Sequence, residues 1–228
     1  MVPFFYSLAT NVTKYILLPL YTRITVVGAE NVPADGPLII ASNHLNDADP
    51  GILSTRIARV LVYMTKAELF KIPVLAQLLR AYGAFPVRRG EADLGALRLA
   101  SGALNDRMAL IVFPEGTREG PAELLMKAHP GAALLALRHD VPVLPCAIQG
   151  SGKLSLPGMF LRLDRRVRVT LTIGEPFRLE KPARVNAAAV EDGTRQIMEH
   201  IAALLPEGRR GYYEYVSERE EGGTTHGE

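Results

Sequence analysis

Three short runs of the chain, Leu38-Ile39-Ile40, Leu110-Ile111-Val112 and Val143-Leu144, have no polar position. A strand sends successive side chains to opposite faces, so such a run must be covered on both sides. Strands of this kind belong at the centre of a sheet with helices packed above and below. The rest of the chain agrees. Strand-like runs occur at 23–27, 37–42, 60–64, 84–87, 109–113, 143–148 and 167–173. Helical periodicity fills 50–57, 72–81, 92–105, 131–139 and 187–205. Alternation of this sort predicts an α/β fold, a single domain with a largely parallel mixed sheet flanked by helices. Its expected span is 23–206, and 228 residues suit one such domain.

Composition removes other classes. With 48% apolar residues and a net charge of +2, the chain is too oily and too weakly charged to be disordered. Its one cysteine, Cys146, excludes an intrachain disulfide and sits in an apolar run, as a buried inert thiol would. The small net charge is no nucleic-acid footprint, and no nucleic-acid partner is expected. His129, His139, His200 and His226 lack ligand spacing, so no metal site is expected. Residues 207–228 read as a polar, partly disordered tail in which Tyr212, Tyr213 and Tyr215 can dock locally.

Residues 1–22 carry one charge, Lys14. The missing basic start argues against a secretory signal. Polar residues and two prolines argue against a span, which needs about 20 predominantly apolar residues. Ser7, Asn11 and Lys14 share one helical face, and Phe4, Phe5, Leu8, Val12, Tyr15 and Ile16 share the other. The pattern predicts an N-terminal amphipathic helical extension. Two readings stay open: a helix lying in a membrane interface, or one packed on its own core. Lys153, Arg162, Arg165, Arg166 and Arg168 form a basic stretch, either a solvated hairpin or a contact for anionic headgroups.

Ligands of open α/β sheets bind at the carboxyl ends of strands. Three polar clusters fall at predicted strand ends. The first runs from Asn43 through His44 to Asp49 and Pro50. Histidine is the side chain best suited to take a proton near neutral pH, and a carboxylate on its other ring nitrogen fixes the tautomer. Five residues apart on a helix means about 140° of rotation, so a turn must bring His44 and Asp49 together. Pro50 suits the first helical position, which makes Asp49 the expected N-cap. Asp47 is a competing partner for His44. No nucleophile elbow accompanies the histidine, which points to direct activation of a substrate hydroxyl.

The second cluster is Arg88-Arg89, two guanidiniums suited to phosphate. The third is Phe113-Pro114-Glu115-Gly116-Thr117-Arg118, where a buried strand runs into a turn. Here Gly116 permits exposed backbone N–H groups for an anion or oxyanion. Thr117 and Arg118 offer a hydroxyl and a guanidinium, and Glu115 can brace an arginine.

Together these blocks resemble the glycerolipid acyltransferase family of the lysophosphatidic acid acyltransferase type. His44 to Asp49, preceded by Asn43, is similar to its His-x4-Asp block, and Gly83 to Arg89 to its second block. Residues 113–118 match Phe-Pro-Glu-Gly-Thr-Arg at every position, and Val141-Pro142-Val143-Leu144-Pro145 is similar to the fourth block. The resemblance covers about residues 23–175.

It implies acyl transfer from a thioester to a lysophosphatidate hydroxyl, with His44 as general base oriented by Asp49. It implies substrate contacts from Asn43, Lys66, Arg88, Arg89, Glu115, Gly116, Thr117 and Arg118, with Lys66 near the reacting carbonyl. No cofactor is implied beyond acyl-CoA or acyl carrier protein as donor. A lysophospholipid acceptor and a membrane lipid surface are the other partners, and the expected place is the cytoplasmic face of a membrane, peripheral or monotopic. Arg88 stands where the family often has an acidic residue. That keeps open another lysolipid, an amino-lipid or a polyol as acceptor. A non-catalytic anionic-lipid-binding module is the reading from a different class.

Overall fold

The structure, a computed structural model, describes residues 4–87, 94–116, 123–154 and 166–214. Seven strands lie where the sequence pattern places them: β1 (Thr22–Val27), β2 (Leu38–Ser42), β3 (Leu61–Lys66), β4 (Ala84–Val87), β5 (Ala109–Val112), β6 (Val143–Gln149) and β7 (Val167–Ile173). They form one sheet in the order β1-β7-β6-β2-β5-β3-β4. The stretch from β6 to β4 is parallel, whereas β7 runs antiparallel to β6 with β1 parallel to it. The expected largely parallel mixed sheet is therefore present.

Burial explains the apolar runs. Along β2, Leu38 and Ile40 join Ile52, Leu53, Leu61 and Ile148 on one face. Ile39 and Ala41 join Leu110, Leu135, Leu137 and Ile197 on the other. All five β2 residues are buried. Each fully buried Leu or Ile contributes about 1.5–3 kcal/mol, so the central strands dominate the core.

Helices α3 (Asp49–Arg56), α4 (Pro73–Ala81) and α5 (Leu94–Asn105) make the crossovers between parallel strands, with α6 (Gly131–His139) and α7 (Ala187–Ala203) beyond them. Asn186 caps α7 by accepting the Ala189 N–H at 2.8 Å. β4 is an edge strand, which lets it carry Pro86 without losing a ladder hydrogen bond. Gly83 starts it at φ +76°, and a Cβ there would fall 2.5 Å from the Leu61 carbonyl oxygen.

The N-terminal extension is α1 (Phe4–Val12), a π-helical turn (Thr13–Leu17) and α2 (Leu18–Tyr21). It lies on the domain along one narrow face. Tyr6, Thr10 and Leu18 are buried. The Tyr6 hydroxyl accepts the Leu61 N–H at 2.9 Å, and Tyr82 donates to the Ala9 carbonyl at 2.7 Å. The apolar side faces out, with Phe4 73%, Phe5 68% and Tyr15 68% exposed. Packing on its own core is thus the task of Tyr6, Thr10 and Leu18, while Asn11 of the expected polar face is exposed along with the apolar stripe. Among the described residues no helix is long and apolar enough to cross a membrane.

The tyrosine cluster docks locally where it is described: Gly211–Tyr213 forms a turn of 3-10 helix, and Tyr213 is buried with its hydroxyl accepting the Ala128 N–H at 3.1 Å. A phenol that satisfies a backbone donor and fills the core holds this segment down. Tyr215 and the rest of the tail lie outside the described residues, as do Arg162 and Arg165 of the basic stretch.

Candidate active site

Parallel strands put their carboxyl ends on one edge of the sheet, and the polar clusters follow those ends. His44 leaves β2, Glu115 leaves the neighbouring β5, and Lys66 ends β3 one strand further on. Lys66 is exposed there. Arg88, Arg89, Thr117 and Arg118 lie outside the described residues, although Val87 brings β4 to the same edge.

His44 is 7% exposed and Asp49 is fully buried. The His44 Nδ1 stands 3.0 Å from the Asp49 Oδ2, so Asp49 and not Asp47 is the ring's carboxylate partner. The same oxygen accepts the N–H groups of Leu45 and Asn46, each at 2.7 Å. Three donors converging on one oxygen suit a carboxylate, which can only accept. Nδ1 then carries the ring proton and Nε2 keeps a lone pair. The His44 ring also stacks on Phe113, with centroids 4.0 Å apart. Ring plane and tautomer are both fixed before any substrate arrives.

Asp49 does not cap its helix as expected. It is the first residue of α3, and its carboxylate points back to the loop that carries the histidine. Pro50 follows it at a position where no amide hydrogen is needed. The carboxylate thereby closes a turn and orients the ring at once.

Asn43, expected at the substrate, is held by backbone groups. It is 2% exposed, donates to the Ile148 carbonyl at 2.9 Å and accepts the Ile148 N–H at 2.7 Å. Its amide ties the loop after β2 to β6.

Glu115 braces backbone, not an arginine, among the described residues. Oε1 accepts the His44 N–H at 3.1 Å and Oε2 the Met126 N–H at 2.9 Å. Burial raises its pKa, and the two N–H groups oppose that rise in part. Gly116 adopts φ +68°, a left-handed turn. Its N–H is not exposed for an oxyanion, because it donates to the Phe113 carbonyl at 3.0 Å. A Cβ on it would fall 2.7 Å from His129 Cδ2, so the His129 ring lies against this turn.

Sequence reasoning missed Phe113 as a stacking partner and His129 as a neighbour of the turn. It also missed Met126 and Ile148, which act through backbone groups and so leave no side-chain signal. Cys146 is buried, and burial pushes its thiol up to about 12, as an inert thiol requires. A groove of about 940 Å³ between α6 and α7 starts at Lys127 and Ala128 beside this site; His44, Asp49 and Glu115 do not line it.

A buried His–Asp pair at a strand end, braced by a glutamate from the next strand end, defines a class of site. The chain belongs to the acyltransferase family, whose model matches residues 23–149. It is 27% identical over 205 residues to the 1-acyl-sn-glycerol-3-phosphate acyltransferase of Bacillus subtilis, covering 88% of this chain and 98% of that one. It is 24% identical to the enzyme of the same name from Streptococcus pneumoniae, over 90% of this chain and 75% of that one. The crystal structure of the 1-acyl-sn-glycerophosphate (LPA) acyltransferase PlsC from Thermotoga maritima superposes with a TM-score of 0.64 at 27% identity, covering 85% of this chain and 78% of that one. The family expected from the four sequence blocks is the family found.

Proposed function

We propose that the chain transfers a fatty acyl group from a thioester to the free hydroxyl of a lysophosphatidate-type acceptor, a step of phospholipid biosynthesis. The single observation that carries the mechanism is the buried His44–Asp49 pair, with Nδ1 held by the carboxylate and Nε2 left to accept a proton. The names of the relatives support the acceptor class.

In this reading the acceptor hydroxyl gives its proton to His44 Nε2 as its oxygen attacks the thioester carbonyl. The tetrahedral intermediate collapses, the C–S bond breaks, and the leaving thiolate takes the proton back from Nε2. Asp49 stabilises the transient imidazolium. A thioester is already activated, so base catalysis, worth about 10²–10⁴-fold, and positioning carry the reaction. Arg88, Arg89, Thr117 and Arg118 remain the proposed hold on the acceptor phosphate, with Lys66 beside the carbonyl. The outward apolar stripe of α1 supports a peripheral or monotopic seat on the membrane surface; the cytoplasmic face is part of the proposal.

Purified protein is tested with acyl-CoA and acyl carrier protein donors against lysophosphatidate and unphosphorylated acceptors. Transfer to lysophosphatidate, abolished in His44→Ala, is expected. Transfer confined to unphosphorylated acceptors overturns the acceptor, and unchanged transfer in His44→Ala overturns the base. Vesicle binding with no transfer at all would make the chain a binding module.

A further inference from the structure

Helices α3, α4 and α5 each leave the carboxyl end of one parallel strand and finish at the start of the next, so all three end at the sheet edge opposite His44. That edge carries a cleft of about 840 Å³. Phe5, Val62 and Met108 give it apolar walls, and Arg59, Arg80 and Arg107 give it charge; among the described residues no acidic side chain lines it. Each helix end brings about half an elementary negative charge, and the Asp35 carboxylate acts on Arg59; three guanidiniums outweigh them.

The three arginines differ in their freedom. Arg59 is fixed, donating to the Pro33 and Asp35 carbonyls at 3.3 Å and to that of Gly36. Arg80 and Arg107 are exposed and make no ion pair among the described residues; the Arg80 guanidinium rests over the Phe70 ring, 5.6 Å from its centroid, a contact that leaves its hydrogen-bond donors unused. Arg107 holds φ 58° just past α5, a left-handed position where glycine is the less strained choice. Beside the cleft begins the outward apolar stripe of α1, pinned here by the Tyr6–Leu61 hydrogen bond.

We propose that this cleft is a lipid site separate from the His44 site: the phosphate of one anionic bilayer phospholipid sits between Arg80 and Arg107, with its acyl chains running past Phe5 and Met108 into the leaflet. The inference rests on the membrane seat of α1. A lipid supplies both chemistries the cleft offers, an anion for the guanidiniums and a chain for the apolar wall. Arginine suits the role because its planar fork matches phosphate in two hydrogen bonds.

The full chain is floated with phosphatidylcholine vesicles, with and without phosphatidylglycerol. Wild type is expected to bind both, and the anionic vesicles about tenfold or more tightly. R80Q/R107Q should keep the neutral binding and lose most of the anionic gain. R80K/R107K keeps the charge without the fork and should recover only part of it; full recovery means diffuse attraction and overturns the site. Saturable binding of dihexanoyl-phosphatidylglycerol, weakened in R80Q/R107Q, is expected as well, and equally tight saturation by inorganic phosphate overturns the lipid. If wild type floats with neither vesicle, the membrane seat fails and takes this inference with it. If it floats with both and the anionic gain is absent or survives R80Q/R107Q, this inference alone fails.

Discussion

Glu115, on the turn after β5, holds the backbone N–H of His44, on the loop after β2, at 3.1 Å. The glutamate therefore positions the base from behind, and its second oxygen fixes Met126 at 2.9 Å. Glu115→Gln can accept one of these N–H groups but sets an amide donor against the other. We expect kcat to fall about 10- to 100-fold through misplacement of His44, with the chain still folded.

The same carboxyl makes stability depend on pH. Its folded pKa lies above its ordinary value of 4.5, because burial outweighs the two N–H bonds. An acid raised in this way favours folding most when protonated, below its unfolded value, and that contribution is lost as pH rises through the folded one. Wild type should lose stability relative to Glu115→Gln between pH 4.5 and neutrality. Urea unfolding of both proteins at the two ends of that range reads the difference, and a constant gap contradicts the prediction.

Asp49→Asn replaces the acceptor that orients the ring, and its amide can turn His44 to the wrong tautomer. kcat should drop about 10²- to 10⁴-fold with little change in the acceptor KM. Retention of a tenth of wild-type kcat would refute the orienting role.

Asn43→Ala should act on stability first. It strands both the N–H and the carbonyl of Ile148 in the core, for a cost of about 2–4 kcal/mol. Thermal melting should show a Tm lower by roughly 5–15 °C, while the acceptor KM of the folded protein holds. A raised KM at an unchanged Tm would return Asn43 to the substrate.

How much the sequence disclosed depends on where each partner lies. Strands such as β2 and helices such as α7 are written in local periodicity, and the structure puts them where that periodicity points. His44 and Asp49 were legible because two side chains of the right chemistry stand in one loop. The backbone partners of Asn43 and Glu115 were not legible, because they lie 105 and 71 residues away. A main-chain N–H has no signature in a sequence. The bond of the Gly116 N–H to Phe113 was hidden for a related reason, since its acceptor is also a backbone group.

Gly116→Ala tests that turn. A left-handed φ costs a non-glycine residue about 1–2 kcal/mol, and the new Cβ meets the His129 ring at 2.7 Å. Activity and Tm should both fall. Adding His129→Ala should restore the part due to the clash and leave the part due to φ; complete rescue would place the whole cost on the ring.

Leu8→Ser with Ile16→Ser tests the outward stripe. Both side chains are at least half exposed, so the fold should stand and Tm should hold. Flotation on neutral vesicles should weaken several-fold. Deleting residues 1–20 is a poorer probe, because it also removes the Tyr6 hydroxyl from Leu61.

The histidine loop is gripped by β6 through Asn43 and by β5 through Glu115, two strands that join the chain long after it. The base therefore has no fixed position until the middle of the sheet has closed around it. During synthesis or refolding, catalytic competence must arrive late and all at once. Recovery of activity would time the completion of the sheet, while helix signals measured alongside it would run ahead.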